Sequence, residues 1–292
     1  MEGKNILLIN DLPGYGKVAL AAMVPILSRM GHYTFQLPTA VVSNTLDYGK
    51  FRIQELTDYM RDTLLVWKEL GFKADCVCTG FIVSEEQAEL IGTYIEELKE
   101  GLEKPPLVVV DPIMADGGKL YNGIGRERVL AMKKLVAYAD VMVPNITEAS
   151  FLTGLRPGQE YGTQAELREL TDGLRAISGK SVVITSAVEK EAEDGEQGTG
   201  KKTHLVYGYD HIRQEYFRVP YDYLPVRVAG SGDIFSAMVT GELLAGKPLA
   251  EAVQRAVKAL SELILQSQGH LKEYKGILLE QYWETLSHTG DG

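Results

Sequence analysis

The chain alternates short, uninterrupted apolar segments with longer segments of helical periodicity, and this alternation limits the folds open to it. Short continuous apolar runs are typical of strands that are buried on both faces of a sheet. Strands that alternate with helices predict a mostly parallel sheet with helices on both faces. The predicted buried strands are NILLIN (5–10), DCVCTGF (75–81), PLVVVD (106–111), DVMVPN (140–145) and SVVIT (181–185). The predicted helices are 17–30, 54–70, 84–98, 126–138, 164–177 and 249–264, a short one over TEASFLTG, and one starting near Asp233.

Two regions depart from this alternation. FQLPTAVVS (35–43) is predicted to be extended, and its Pro38 should keep it from being a regular central strand. HLVYGYDH and QEYFRVPY predict a small antiparallel addition near the C-terminal part, and the acidic segment 189–202 before them is expected to be a solvated connection. Because no repeat or clear linker divides the chain, the sequence predicts one α/β domain over residues 1–292.

Charge and hydropathy exclude several classes of partner. A formal net charge of −10 argues against nucleic acid or an anionic membrane as the main partner. No segment approaches the roughly 20 apolar residues of a membrane helix, and no basic region followed by an apolar signal core is seen. The two cysteines, Cys76 and Cys78, are expected to be buried, reduced thiols on one strand face. We therefore expect a cytoplasmic protein, and the net charge does not exclude phosphorylated ligands.

The segment VRVAGSGDIFSAMVTGELLAG (226–246) joins a glycine-rich loop to a helix that reads as buried. Asp233 is predicted at the helix N-terminus, where a carboxylate serves as an N-cap and suits the helix dipole. A cap needs no preceding glycines, whereas Gly230, Ser231 and Gly232 would expose backbone N–H groups to an anion such as phosphate. We interpret the segment as an anion hole with a carboxylate beside it.

Polar side chains also follow three of the predicted strands, where ligands collect in open α/β sheets. Each alone could be a structural cap, but together with the glycine loop they indicate one site. Carboxylates near phosphates imply Mg²⁺ between them, bound directly or through water. The residues are Asp111 and Asp116 after the third predicted strand, Asn145 and Glu148 after the fourth, and Thr185 and Ser186 after the fifth.

Other motifs carry less weight. GYGKVA (14–19) matches a dinucleotide fingerprint, but no acidic residue follows at the end of the next extended segment, so an NAD oxidoreductase is disfavoured. The chain has no Walker A loop, and its five histidines form no metal-spaced pair.

On these motifs the chain resembles the pyridoxal kinase branch of the ribokinase-like superfamily over nearly its whole length. The resemblance is carried by GSGD, DPIMAD, VPNITEA, VITS and LPTAVVSNTLDYGKF (37–51). It implies a ribokinase-like fold and ATP-dependent phosphorylation of the 5′-hydroxymethyl group of pyridoxal, pyridoxine or pyridoxamine. It also implies Mg²⁺ and a homodimer, and it allows activation by a monovalent cation such as K⁺.

The resemblance further implies roles for individual residues. Asp233 corresponds to the catalytic base, and Gly230, Ser231 and Gly232 to the anion hole for the transferred phosphoryl group. The residues implied to bind ATP are Asp111, Asn145, Glu148, Thr185 and Ser186, and those implied around Mg²⁺ are Asp111, Asp116 and Glu148. The residues implied on the vitamin side are Asp11, Ser43, Asn44, Asp47 and Phe81, together with Asp233.

Three departures from the family pattern bear on substrate preference. Asp11 stands where many members have a serine against the pyridine ring, Phe81 replaces a tyrosine, and GYGKVA only approximates the family's Gly-Tyr-Val-Gly. Two alternatives stay open: a hydroxymethylpyrimidine kinase of thiamine synthesis, and a non-catalytic nucleotide- or vitamin-binding protein. The intact Asp233 argues against the second, because binding alone does not require it.

Overall fold

The computed structural model describes residues 3–121, 124–159, 161–190 and 202–281. Most of the acidic segment predicted as a solvated connection lies outside these ranges. No helix within them is long and apolar enough to cross a membrane.

A ten-stranded sheet forms the centre of the described chain. Its spatial order is β12-β11-β10-β8-β5-β4-β1-β2-β3, with β9 beside β10, and β6 pairs with β7 in a separate hairpin. The strands are β1 (Asn5–Pro13), β2 (Tyr33–Val42), β3 (Ile53–Glu55), β4 (Cys76–Thr79), β5 (Leu107–Val110), β6 (Ala115–Asp116), β7 (Lys119–Leu120), β8 (Val141–Met142), β9 (Tyr161–Gly162), β10 (Ser181–Lys190), β11 (Lys202–Asp210) and β12 (Glu215–Pro220). The six central strands pair in parallel, and β11, β12 and β3 add antiparallel edges. The predicted sheet with its antiparallel addition is confirmed.

Helices cover both faces of this sheet, as the alternation predicts. They are α1 (Ala19–Arg29), α2 (Thr57–Leu70), α3 (Glu85–Lys99), α4 (Arg126–Val136), α5 (Ile146–Thr153), α6 (Gln164–Ser178), α7 (Ser231–Leu244), α8 (Leu249–Ser267) and α9 (Leu271–Tyr274). Side chains of β1 alternate between two cores: Leu7 and Ile9 pack with α2–α6, whereas Ile6 and Leu8 pack with α1, α7 and α8. The free, buried Cys76 and Cys78 share the second core, as expected.

Some element boundaries differ from prediction. The helix predicted over 54–70 begins at Thr57, because Ile53–Glu55 forms β3 against the end of β2. All three β3 residues are exposed, so no apolar pattern separates this strand from the helix. The segment after β5, for which the sequence predicted no strand, contains the β6–β7 hairpin. β8 is shorter than predicted, whereas β10 continues past residue 185 through an irregular register.

Pro38 lies inside the continuous strand β2 and pairs in register with Asn10 of β1. On its other side β2 pairs with β3 only from Ala40 onward, so within the described chain Pro38 lies at an edge. An edge position removes the need for the missing backbone N–H.

Candidate active site

Asn10, at the carboxyl end of β1, organises the centre of the site. Its Oδ1 accepts hydrogen bonds from the backbone N–H groups of Asp11 (2.9 Å) and Phe81 (2.8 Å). Its Nδ2 donates to Oδ1 of Asp233 at 3.2 Å. A Cβ on Gly80 would lie 2.3 Å from this amide nitrogen, so only glycine fits beside it. Asn10 was missed in the sequence, where its one signal was a polar residue at the end of an apolar strand.

The glycine loop begins α7 differently from the prediction. Gly230, in a left-handed conformation with φ of 82°, is the N-cap, and the helix starts at Ser231. The prediction that Asp233 caps the helix is therefore wrong: it lies in the first turn and is buried. Its carboxylate instead accepts hydrogen bonds from Asn10 and from the backbone N–H of Ala19. This leaves the loop N–H groups at the helix start free of a capping side chain, as an anion site requires.

The GYGKVA segment, rejected as a dinucleotide site, supports this loop. A Cβ on Gly230 would lie 2.1 Å from the carbonyl oxygen of Lys17 and 3.2 Å from Cα of Val18. The close approach of the two backbones places the N-terminus of α1 beside the N-terminus of α7, and it explains why glycine occupies position 230.

Asp111 follows β5 and lies beside the same loop. Ser236, one turn after Asp233 on α7, donates its hydroxyl to Oδ2 of Asp111 at 2.7 Å. A Cβ on Gly232 would lie 4.0 Å from that same oxygen. Asp111 and the glycine loop therefore form one cluster.

Asn145 and Glu148 form a capping box at the start of α5 and hold the loop after β5. Glu148 accepts hydrogen bonds from the N–H groups of Asn145 (2.9 Å) and Met114 (3.0 Å). Asn145 donates its side-chain amide to the carbonyl oxygen of Ala115 at 2.8 Å. Both side chains thus fix the segment that carries Asp111.

Three buried carboxylates, those of Asp111, Glu148 and Asp233, lie at this edge of the sheet. A charge on one of them disfavours a charge on the others. Burial, with the charge of Asp233 as the second cause, raises the pKa of Asp111 to about 7. Burial also raises the pKa of Asp233. Burial and the charge of Asp111 together hold the pKa of Glu148 well above its usual range. No lysine or arginine of the described chain forms an ion pair with these carboxylates, so a bound cation would relieve their repulsion.

The structure does not gather the three predicted metal ligands. Across the described ranges, no three His, Cys, Asp or Glu side chains lie close enough to hold a metal ion together. Asp116 lies in the β6–β7 hairpin, exposed, with its Oδ2 3.8 Å from Nη1 of Arg227. Mg²⁺ usually takes one or two carboxylates together with water and phosphate oxygens. The buried cluster around Asp111 fits that pattern, but joint direct binding by Asp111, Asp116 and Glu148 does not.

The charge on Asp111 should destabilise the metal-free protein. In the unfolded chain this carboxyl ionises near its ordinary pKa of 3.8, but in the fold its pKa is about 7. The cost of the buried charge therefore grows as pH rises from about 4 to about 7 and is constant above that. With EDTA present, Asp111→Asn should raise the free energy of unfolding by on the order of 2 kcal/mol above about pH 7, and less as pH falls. Urea unfolding of both proteins across this pH range measures the difference in stability. A gain in stability that does not depend on pH would contradict a raised pKa of Asp111.

The loop of residues 43–52, here the vitamin-side loop, is closed by its own polar side chains. Ser43 donates its hydroxyl to Oδ1 of Asn44 at 2.7 Å and accepts the N–H of Arg52 at 2.8 Å. Asn44 donates to the carbonyl oxygen of Lys50 at 2.8 Å. Both predicted site residues therefore shape the loop. Asp47 lies in the single 3₁₀ turn of this loop and contacts Arg227.

Asp11 and Phe81 lie beside the central asparagine. Burial, with the nearby charge of Asp233 as second cause, raises the pKa of Asp11 to about 7. Asp11, through its backbone N–H, and Asp233, through its carboxylate, thus contact the same side-chain amide, that of Asn10. The guanidinium of Arg128 lies over the ring of Phe81, with its central carbon 5.6 Å from the ring centroid. The backbone N–H of Phe81 donates to Asn10.

Thr185 and Ser186 lie where β10 is irregular. Thr185 forms a bridge with Asn145 and donates its N–H to the carbonyl oxygen of Pro144 at 2.9 Å. Ser186 has a φ of 55°, and its side chain hydrogen-bonds Tyr221. Sequence reasoning did not single out Tyr221. The structure therefore places Thr185 beside Asn145, and Ser186 against the segment that follows β12.

The sheet order and the glycine loop at the start of α7 define a ribokinase-like protein, and comparison with known proteins agrees. The sequence pattern of the family described as phosphomethylpyrimidine kinase matches residues 22–277. A pyridoxine/pyridoxal/pyridoxamine kinase of Bordetella avium is 30% identical over 264 residues, which span 87% of this chain and 80% of that protein.

Two crystal structures resemble the whole fold. One is a Bacteroides thetaiotaomicron protein described as a phosphomethylpyrimidine kinase, crystallised in an orthorhombic form with pyridoxal. It has a TM-score of 0.86 and 32% sequence identity, and the match covers 99% of this chain and 96% of that one. The other is pyridoxal kinase from Lactobacillus plantarum, with a TM-score of 0.82, 27% identity, and coverage of 98% and 97%. The chain therefore belongs to the phosphomethylpyrimidine kinase family, and its resemblance to the pyridoxal kinases is confirmed.

Proposed function

We propose that this chain is a pyridoxal kinase that transfers the γ-phosphoryl group of ATP to the 5′-hydroxymethyl group of pyridoxal, pyridoxine or pyridoxamine. The observation that carries the proposal is the buried Asp233, held by Asn10 in the first turn of α7 next to the glycine loop. The substrates named for the Bordetella avium relative, and the pyridoxal in the Bacteroides thetaiotaomicron crystal, support the vitamin B6 assignment.

The residues of the site suit phosphoryl transfer, which needs positioning and charge neutralisation more than covalent help. Asp233 accepts the proton of the substrate's 5′-hydroxyl group. As it does so, the hydroxyl oxygen forms a bond to the γ-phosphorus of ATP, and the bond between that phosphorus and the oxygen that leaves with ADP breaks. The raised pKa of Asp233 makes its carboxylate a stronger base than an exposed one. The N–H groups of residues 230–232 donate to the phosphoryl oxygens, whose charge they stabilise.

Asp111 would hold Mg²⁺ on the phosphates, with Glu148 acting through water or through the loop that it fixes. When bound, Mg²⁺ would neutralise charge on the phosphates. Asn145 and Thr185 form a bridge at neighbouring strand ends, which supports the proposal that both bind ATP. The sequence resemblance supports the further proposals of a cytoplasmic location, a homodimer and activation by a cation such as K⁺. Light scattering and a comparison of K⁺ with Na⁺ test the last two.

The second candidate is a hydroxymethylpyrimidine kinase, favoured by the description of the matching family. A coupled ADP-release assay with the three B6 vitamers and hydroxymethylpyrimidine separates the two. We expect the highest kcat/KM with a B6 vitamer. A higher value with the pyrimidine supports the second candidate, and no ADP release with any of the four indicates a binding protein.

Asp11 is the group proposed to recognise the pyridine nitrogen. An ionised Asp11 would favour the protonated ring through a charge-assisted hydrogen bond, worth roughly tenfold to a hundredfold in affinity. Asp11→Ser should therefore raise the KM for pyridoxal by that factor and change the KM for ATP little. Because Asp11, with its pKa of about 7, ionises as pH rises through that value, the variant should also have a shallower acidic limb of kcat/KM. Equal effects on both substrates would contradict a specific role of Asp11 in recognising the ring.

A further inference from the structure

Two basic residues from distant parts of the chain contact Asp47 in the vitamin-side loop. Nε of Arg227 donates to Oδ1 of Asp47 at 2.9 Å. Nζ of Lys275 donates to the main-chain oxygen of Asp47 at 2.8 Å and lies 4.8 Å from the ring centroid of Tyr48. One basic side chain thus binds the carboxylate of Asp47, and the other binds the backbone oxygen of the same residue.

Both basic residues are connected to the backbone that directly precedes the anion hole. Arg227 lies three residues before Gly230 in the chain. The main-chain oxygen of Lys275 accepts the N–H of Ala229 at 3.0 Å, and Ala229 directly precedes Gly230. Tyr48 adds a contact between the same segments, because its hydroxyl donates to the main-chain oxygen of Glu273 at 3.3 Å. A displacement of the vitamin-side loop would therefore act on the backbone that leads into the glycine loop.

Arg227 also reaches a third segment, the β6–β7 hairpin, through Asp116 at 3.8 Å. Its side chain is 69% exposed, and ion pairs at exposed positions contribute little to the stability of a fold. These contacts therefore add little stability, but they join the vitamin-side loop, the β6–β7 hairpin and the segment before Gly230.

We propose that Arg227 and Lys275 are positioning residues that couple the vitamin-side loop to the anion hole, with Asp47 as the link. The proposal rests on the proposed function for its substrate. Pyridoxal that binds under the vitamin-side loop fixes Asp47, and through the two basic residues it fixes the backbone before Gly230. Phosphoryl transfer is thereby favoured when the vitamin is in place.

Kinetics of single variants test the coupling. Arg227→Ala and Lys275→Met should each raise the KM for pyridoxal about tenfold and lower kcat, because small displacements of reacting groups cost rate steeply. ATP affinity, measured by direct binding, should change less than about twofold, and the melting temperature little. Arg213→Ala is the matched control, since Arg213 is 55% exposed and pairs with Glu215 in the β11–β12 hairpin. It should leave all four quantities unchanged. An equal loss of affinity for both substrates would overturn the proposal.

A double-mutant cycle separates coupling from local damage. If Arg227 acts through Asp47, then Arg227→Ala combined with Asp47→Asn should raise the KM no further than the larger single effect. Arg227→Lys should restore part of the loss because it keeps the charge but not the guanidinium geometry. Fold changes that multiply independently would contradict a link through Asp47.

Hydrogen exchange tests the contact without using activity. In substrate-free protein, amides of residues 43–52 should exchange faster in Arg227→Ala and Lys275→Met than in wild type or Arg213→Ala. Unchanged exchange overturns the proposal. If the wild type phosphorylates no B6 vitamer, the proposed function fails, but the exchange result still decides whether the two basic residues hold the loop.

Discussion

Asp233→Asn is expected to lower kcat by about 10²-fold or more while leaving ATP binding nearly intact. Asparagine has nearly the same shape and can still accept the hydrogen bond from Asn10, but it cannot take the proton of the substrate hydroxyl. Since burial raises the pKa of Asp233 and so disfavours its charge, the variant should be at least as stable as wild type at neutral pH. Steady-state kinetics and direct nucleotide binding measure the two effects.

Asp210→Asn provides a control for the loss of a buried carboxylate. Asp210 is also buried, and its Oδ1 accepts the N–H groups of Ile212 (2.9 Å) and Arg213 (3.2 Å) in the turn after β11. The change there should alter stability without lowering kcat. Near-normal turnover of a folded Asp233→Asn protein would remove Asp233 from the role of base.

The parts of the fold that could be predicted are those in which local pattern and burial agree. The runs NILLIN and PLVVVD are apolar on both faces, and they became the central strands β1 and β5. β3 could not be predicted, because its three exposed residues carry no pattern and its conformation depends on pairing with β2. Strand limits near β8 and β10 depended likewise on neighbouring strands.

The candidate site shows the same division. The motif around Asp233 and the polar residue Asp111 after β5 could be placed together because parallel strands end at one edge of a sheet. The N-cap of α7 is Gly230 and not Asp233, and Gly230 lies where the backbone of Lys17 approaches the loop, a contact that the local sequence does not reveal. Asp116 was predicted near the metal from its position after a strand and from the family resemblance, whereas in the structure it lies in the β6–β7 hairpin near Arg227. Contacts between residues so distant in the chain leave no trace in local sequence.

Gly230→Ala is expected to lower kcat/KM by about 10²-fold, because the anion hole has no room for a side chain. A Cβ there would lie 2.1 Å from the carbonyl oxygen of Lys17, which is backbone and cannot rotate away. Relief of this overlap must move either the glycine loop or the start of α1, where the N–H of Ala19 bonds to Asp233. A shift of about 1 Å in positioned groups can cost about 10²-fold in rate.

Gly246→Ala is the control for Gly230→Ala. It has the cost of alanine at a positive φ but lacks the close backbone approach. Gly246 follows α7 with the same φ of 82°, but a Cβ on it would have nothing within 4 Å. Both variants should lose about 1 kcal/mol of stability in urea unfolding from the left-handed conformation, with a further loss at Gly230 from the overlap. Only Gly230→Ala should lose activity, and it should do so with pyridoxal and ATP both saturating, because the displaced N–H groups act on the transferred phosphoryl group. Equal kinetics for the two alanine variants would show that the approach of Lys17 to Gly230 is not needed for phosphoryl transfer.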